Sequence, residues 1–136
     1  MDPIQMLWIG PRLSALERLS MASFLAHGHE VRLYTYGDVE GIPPGVTHHD
    51  GREIVPASQV FTYASGFGKG SYAAAFCPID WWNAQKLVSE PWRERPESHA
   101  IHFWNEVWRY QGLEKDGTYP PGSTFETLKR RYGVSG

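Results

Sequence analysis

The sequence predicts an α/β fold with a mostly parallel sheet and flanking helices. An apolar stretch, residues 4–10, is followed by an amphipathic segment and then by a β-rich stretch, residues 30–36. Two strands joined by one helix make a βαβ unit, in which the strands run parallel and the crossover is right-handed. The chain has 136 residues, of which 41% are hydrophobic and 21% charged, which suits one globular domain with its own core.

The first strand and the helix after it have clear limits in the sequence. Residues 4–10 form an almost continuous apolar run, which predicts a strand buried on both faces. The sequence SALE then forms a capping box, in which the Ser14 hydroxyl accepts from the Glu17 amide while the Glu17 carboxylate reaches back. Gly28 stands where a glycine ends a helix, so the helix is predicted to stop there.

The middle of the chain gives weaker signals. Residues 37–58 are rich in Gly, Pro, Asp and His and are predicted to be a loop, with a short turn at residues 52–56. Residues 59–63 are a candidate for a short strand. Residues 64–71 form a glycine-rich loop that is not a Walker A motif, because its lysine is followed by glycine.

The last part of the chain is predicted to be mainly helical. A short helix is expected within residues 78–88, with Asp80 as its cap. Residues 99–104 are predicted to be a strand that runs into a helical turn at residues 105–111.

A second capping box marks the final helix. It pairs Ser123 with Glu126, and Gly133 is predicted to end the helix. The basic run at residues 128–132 is expected to be a solvated face of this helix.

Charge, cysteine content and hydropathy exclude several classes of protein. A net charge of -2 argues against a nucleic-acid partner. Cys77 is alone, which fits a reducing compartment, and the N-terminus lacks the pattern of a signal peptide. No stretch is long and apolar enough to span a membrane, so a cytoplasmic location is expected. The histidines at positions 27, 29, 48 and 49 match no zinc pattern and are expected to be solvated in loops.

Two parts of the sequence together resemble a known family. They are LWIGPRLSALERLSMASFLAHGHEVRLYTYGDVEGIPPG near the start, and FCPIDWWNAQKLV with HAIHFWNEVWRYQGLEKDGTYPPGSTFETLKRRYG towards the end. Both resemble bacterial glycosyltransferases of the GT-A fold whose sugar-binding region contains a DXD motif, the group of α-1,4-glycosyltransferases and capsular polysaccharide transferases.

The resemblance implies a fold and a function. The fold would be a reduced GT-A-like, Rossmann-related sheet within a single shortened domain, residues 1–136. Residues 1–76 would be the nucleotide-binding half and residues 77–136 the C-terminal segment. The partners would be a nucleotide sugar, most simply a UDP-sugar, and a glycan acceptor to which a hexose is transferred.

The resemblance also implies site residues. Trp8 would pack beside the nucleotide base, and the pattern H-x-W-N at residues 102–105 would lie near the diphosphate. Parallel α/β domains bind ligands at the carboxyl ends of their strands, where this sequence places an aromatic rim. The residues assigned to the nucleotide-sugar site are Trp8, Gly10, Tyr36, His102, Trp104 and Asn105.

The chain departs from the family at the metal site. The family holds Mn²⁺ or Mg²⁺ on Asp-x-Asp, whereas this sequence contains no Asp-x-Asp and residues 70–76 run directly into CPIDWW. No metal site is therefore assigned, and whether the chain is an enzyme is left open. The alternative is a non-catalytic remnant that acts as a nucleotide-binding or oligomerising domain. The edge of the first strand is expected to be covered either by residues 59–63 and 99–104 of the same chain, which would pair beside it, or by a second copy in a homodimer.

Overall fold

The described residues form a parallel sheet with one α-helix in the first part of the chain and three helices in the last part. A computed structural model describes residues 3–54, 84–91 and 105–136, with only the backbone of residues 105 and 106. The chain divides into two units, Met1–Lys69 and Gly70–Gly136.

The sheet confirms the predicted α/β fold class. Its strands are β1, Ile4–Trp8, β2, Val31–Thr35, and β3, Val46–Asp50. All three run parallel in the order β1-β2-β3. Helix α1, Ala15–Ala26, connects β1 to β2, as the βαβ prediction required. The arrangement is that of a reduced Rossmann-like sheet.

Strand β3 lies where a loop was predicted, so that prediction is wrong for Val46–Asp50. The strand is polar, with the sequence VTHHD, and three of its five residues are exposed. Its position is set by main-chain pairing with β2 rather than by an apolar pattern. His48 and His49 consequently belong to a strand and not to a loop. The turn expected nearby is a 3₁₀ turn, Gly51–Glu53, which Asp50 caps.

The core cluster of the first unit lies between one face of the sheet and helix α1. Its buried residues are Leu13, Met21, Val31 and Leu33, against which Ile4, Met6 and Trp8 of β1 pack. The alternate residues of this segment point the other way, and Leu7 and Ile9 are 40% and 56% exposed. The expectation that this strand is buried on both faces is therefore wrong, and β1 alternates as a half-buried strand does.

Both ends of α1 form as predicted. The Glu17 carboxylate accepts from the Ser14 backbone N–H at 2.8 Å and also contacts the Ser14 hydroxyl. At the other end, Gly28 has a φ of 80°. The N–H groups of Gly28 and His29 bond to the carbonyls of Leu25 and Phe24, which is the Schellman arrangement.

The second unit contains α2, Ala84–Ser89, α3, Asn105–Tyr110, and α4, Thr124–Arg131. Helices α2 and α4 pack together. The Glu90 carbonyl, just after α2, accepts from both the backbone N–H and the hydroxyl of Thr124, at 2.7 and 3.0 Å. Among the residues that the structure describes, no helix combines the length and apolar character needed to cross a bilayer.

Three aromatic rings form the core beside α3 and α4. The ring centre of Trp108 lies 4.9 Å from that of Phe125 and 6.2 Å from that of Tyr119, and the rings meet edge to face. Trp108 and Phe125 are fully buried. Trp108 of α3 therefore fills the core of the second unit.

The basic run in α4 is only partly solvated. Arg130 and Arg131 are exposed, but Lys129 is 5% exposed, so the expectation of a solvated face is wrong for Lys129. Its ammonium group lies 3.0 Å from the Glu126 carboxylate and donates to the Gly117 carbonyl at 3.3 Å. Glu126 also accepts from the Tyr119 backbone N–H, while the Ser123 hydroxyl caps the helix through the Glu126 N–H.

Candidate functional site

The carboxyl ends of the three strands lie in one row. Trp8 is in register with Thr35, and Thr35 is in register with Asp50, so the last residues of β1, β2 and β3 are neighbours. Parallel α/β sheets bind their ligands outside this edge, because the loops that leave it can close around a ligand.

The loops after β1 and β2 are tied together at this edge. The Leu13 N–H donates to the Glu40 carbonyl at 2.9 Å, and the Glu40 N–H donates to the Pro11 carbonyl at 2.8 Å. These two bonds form a short parallel bridge between Arg12 and Glu40. Backbone hydrogen bonds therefore hold the two loops side by side, and together they form one wall of the carboxyl edge of the sheet.

Trp8 and Gly10 lie together on this wall. Trp8 packs against the core of the first unit, and its indole Nε1 is buried with no hydrogen-bond partner among the described residues. A Cβ at Gly10 would come within 3.2 Å of that nitrogen, and the φ of Gly10 is 150°. Gly10 thus fits closely over the indole. Because Trp8 is also a core residue, replacing it with Ala would change stability and any binding together.

Tyr36 offers a flat surface at the same edge. Its ring is half-buried and lies against Gly51, where a Cβ would come within 3.0 Å of the ring carbon Cζ and 3.1 Å of Cε2. The Arg52 guanidinium carbon lies 6.0 Å from the ring centre. The Tyr36 ring therefore packs against Gly51, and the Arg52 guanidinium lies beside it.

Asp50 fixes the position of Arg52. Its carboxylate accepts from the Arg52 backbone N–H at 2.9 Å, and both its oxygens lie 3.1 Å from the guanidinium Nη1. These contacts, first of all the backbone hydrogen bond and then the guanidinium, hold the pKa of Asp50 below its usual 3.8. Both side chains are exposed, so the pair is a surface feature.

A chain of hydrogen bonds connects β3 to the backbone after β2. The buried Thr35 hydroxyl donates to the Gly37 carbonyl at 2.7 Å and lies 2.6 Å from His48 Nε2. A hydroxyl has one proton to donate, and the Gly37 carbonyl can only accept it. His48 must therefore donate from Nε2, which assigns the tautomer of its neutral form and leaves Nδ1 as the second ring nitrogen.

Three of the six residues predicted for the site lie among the described residues with their side chains. Trp8, Gly10 and Tyr36 lie at the carboxyl edge of the sheet, as expected. His102 and Trp104 lie outside the described residues, and so does the Asn105 side chain, although its backbone begins α3. Their roles stay predictions.

Sequence reasoning missed the polar residues around Tyr36. Gly51, Arg52 and His48 acquire their places only because β3 pairs with β2, and β3 was taken for loop. The available signal was the sequence VTHHDG after Gly45, in which two β-branched residues start the stretch and Asp-Gly ends it, as in a short strand that leads into a turn.

The described residues do not fit the Mn²⁺ or Mg²⁺ site that the resemblance implies. Such ions prefer several oxygen ligands, usually with carboxylates among them. Both oxygens of Asp50 already contact Arg52. Within residues 3–54, 84–91 and 105–136, no three His, Cys, Asp or Glu side chains come together to hold a metal ion.

Comparison with known proteins adds no assignment. No protein-family model, curated protein or solved structure gives a significant match to the chain.

Proposed function

We propose that the chain binds a nucleotide sugar, most simply a UDP-sugar, at the carboxyl edge of its sheet. The observation that carries the proposal is the half-buried Tyr36 ring, supported by Gly51 and accompanied by Arg52. A nucleotide needs a flat apolar surface for its base and hydrogen-bond donors for its phosphates, and this arrangement supplies both kinds of group.

The proposal is one of binding, not of transfer. The resemblance to GT-A glycosyltransferases supplies the ligand class, whereas the metal-binding Asp-x-Asp of that family does not occur in the sequence. Neither the hexose nor the glycan acceptor is defined by the edge residues. A cytoplasmic location belongs to the same proposal, because a lone cysteine suits a reducing compartment where nucleotide sugars are made.

Calorimetric titration with UDP tests the proposal. Base–aromatic stacking contributes about 1–3 kcal/mol, so Tyr36→Leu should weaken UDP binding by about tenfold or more. The matched control is Tyr110→Leu. Tyr110 is also a tyrosine beside an arginine, with Arg109 Cζ 5.4 Å from its ring centre, but it lies on α3 and is largely exposed.

The two variants give distinct outcomes. The proposal requires UDP binding by the unmodified chain, a large loss in Tyr36→Leu and none in Tyr110→Leu. Absence of UDP binding at millimolar concentration would overturn it, and so would an equal loss in both variants.

A further inference from the structure

We infer that Thr35 is a positioning residue of the proposed nucleotide site, because its buried hydroxyl holds Tyr36 in place against Gly51. The inference rests on the proposed function, since it takes the Tyr36 ring as the surface that contacts the base.

The Thr35 hydroxyl restrains the backbone on both sides of Tyr36. It donates to the Gly37 carbonyl at 2.7 Å, so a hydrogen bond joins the residue before Tyr36 to the residue after it. Glycine has more backbone freedom than any other residue, and a bond to its carbonyl therefore restricts the chain where it leaves β2. The backbone that carries the Tyr36 ring is fixed as a result.

The same hydroxyl ties this backbone to strand β3. It lies 2.6 Å from Nε2 of His48, from which it accepts. Thr35 is also in register with Asp50, the residue directly before Gly51. The Tyr36 ring packs on Gly51, so contacts between β2 and β3 hold both the ring and the surface beneath it.

The burial of Thr35 makes its hydroxyl an effective restraint. The residue is 3% exposed, so water does not compete for its hydrogen bonds. Its partners belong to Gly37 and His48, which are exposed residues. In Thr35→Val these partners can bond to water, and no buried polar group is left unpaired. The variant should therefore fold, because valine keeps the shape of threonine and suits a strand.

The expected effect is a loss of affinity for the base. A restrained ring loses less conformational freedom on binding than a mobile one. The hydroxyl can favour the binding position by about the net strength of one hydrogen bond, which corresponds to about fivefold in affinity. Thr35→Val should weaken the binding of UDP and of uridine by this same factor, because both ligands carry the base.

Calorimetric titration of the full chain with UDP and with uridine tests the inference. Thr35→Ser keeps the hydroxyl and loses only the methyl group, so its UDP affinity should stay close to that of the unmodified chain. Thr47→Val is the matched control. The Thr47 hydroxyl also donates to a backbone carbonyl across β2 and β3, that of Val31 at 3.2 Å, but at the end of the strand pair away from Tyr36.

NMR of ring-labelled tyrosine reports the position of Tyr36 without any ligand. Tyr36→Leu identifies the signal of this ring by its disappearance. The signal should move towards that of free tyrosine in Thr35→Val and stay in place in Thr35→Ser and Thr47→Val.

The outcomes separate this inference from the proposed function. A parallel loss of UDP and uridine affinity in Thr35→Val, absent from Thr35→Ser and Thr47→Val, supports the role of Thr35. Unchanged UDP affinity in Thr35→Val overturns that role and leaves the nucleotide site standing. An equal loss in Thr35→Ser, or a loss for UDP and not for uridine, overturns it as well. Failure of the unmodified chain to bind UDP overturns both proposals.

Discussion

Lys129 and Glu126 form an ion pair inside the second unit. Their charged groups lie 3.0 Å apart, and their side chains are only 6% and 13% exposed. Lys129 also lies over the Phe125 ring, with its nitrogen 5.2 Å from the ring centre. The pair joins α4 to the segment before it, because Lys129 bonds to the Gly117 carbonyl and Glu126 to the Tyr119 N–H.

Removing the ammonium group should destabilise the chain strongly. Lys129→Met leaves the Glu126 carboxylate buried without its cation, and breaking a buried pair in this way costs about 3 kcal/mol of unfolding free energy. Urea unfolding followed by circular dichroism measures the loss. Arg130→Met, at the exposed neighbouring position, should change stability by less than about 0.5 kcal/mol. Equal effects in the two variants would contradict the burial of Lys129.

Gly28 should be required for its backbone conformation and not for space. Its φ is 80°, and a Cβ there would meet nothing within 4 Å. Gly28→Ala should therefore lower the unfolding free energy by about 1 kcal/mol through left-handed strain alone. Gly28→Asn should cost clearly less, because Asn tolerates this conformation. Thermal denaturation of the pair measures the difference, and an Ala variant as stable as the original chain would refute the assignment.

Gly51 should be required for space. A side chain there would press on the Tyr36 ring at 3.0 Å and on the Thr35 carbonyl at 3.2 Å. If Tyr36 carries the base, Gly51→Ala displaces the ring and weakens UDP binding by about tenfold, the size of a stacking contact. Gly37→Ala is the control, since a Cβ at this nearby glycine meets nothing within 4 Å. If calorimetry shows that Gly51→Ala binds UDP as tightly as the unmodified chain, Tyr36 does not contact the nucleotide.

The elements that could be predicted from sequence have strong local signals. The SALE capping box and Gly28 delimited α1, and the box at Ser123 located α4, because caps depend on a few neighbouring residues. Strand β3 could not be predicted in the same way, since its polar side chains carry no apolar periodicity and its backbone pairing with β2 is non-local. Tyr36 could be predicted as a site residue because it ends a β-rich stretch with an alternating pattern. Arg52 and His48 could not, because their places depend on the position of β3.

Asp50 should titrate below its usual pKa of 3.8, chiefly because the Arg52 backbone N–H bonds to its carboxylate. A lowered folded-state pKa means that the ionised carboxylate stabilises the fold above the unfolded pKa, and that this contribution is lost as the pH falls through the folded value. Carboxyl-detected NMR titration measures the midpoint. Arg52→Met keeps the backbone bond, so most of the shift should remain. A midpoint at or above 3.8 in the unmodified chain would contradict the structure.

The chain should not catalyse metal-dependent chemistry on nucleotide sugars. Because its sequence has no Asp-x-Asp, we expect no detectable Mn²⁺-dependent hydrolysis of, or transfer from, any common nucleotide sugar. An assay for released UDP in the presence of Mn²⁺ tests this, and calorimetric UDP binding by the same preparation is the positive control. Turnover that stops when a chelator is added would restore the transferase interpretation.

The two bonds between Thr124 and the Glu90 carbonyl have a consequence for folding kinetics. They join residues 34 positions apart, and α3 lies in the chain between them. Closing such a loop lowers the entropy of the chain before the contacts between its ends can stabilise it. This entropic cost rises with the logarithm of the loop length. Docking of α2 on α4 is therefore a long-range event, which must bring together two segments that are far apart in the chain.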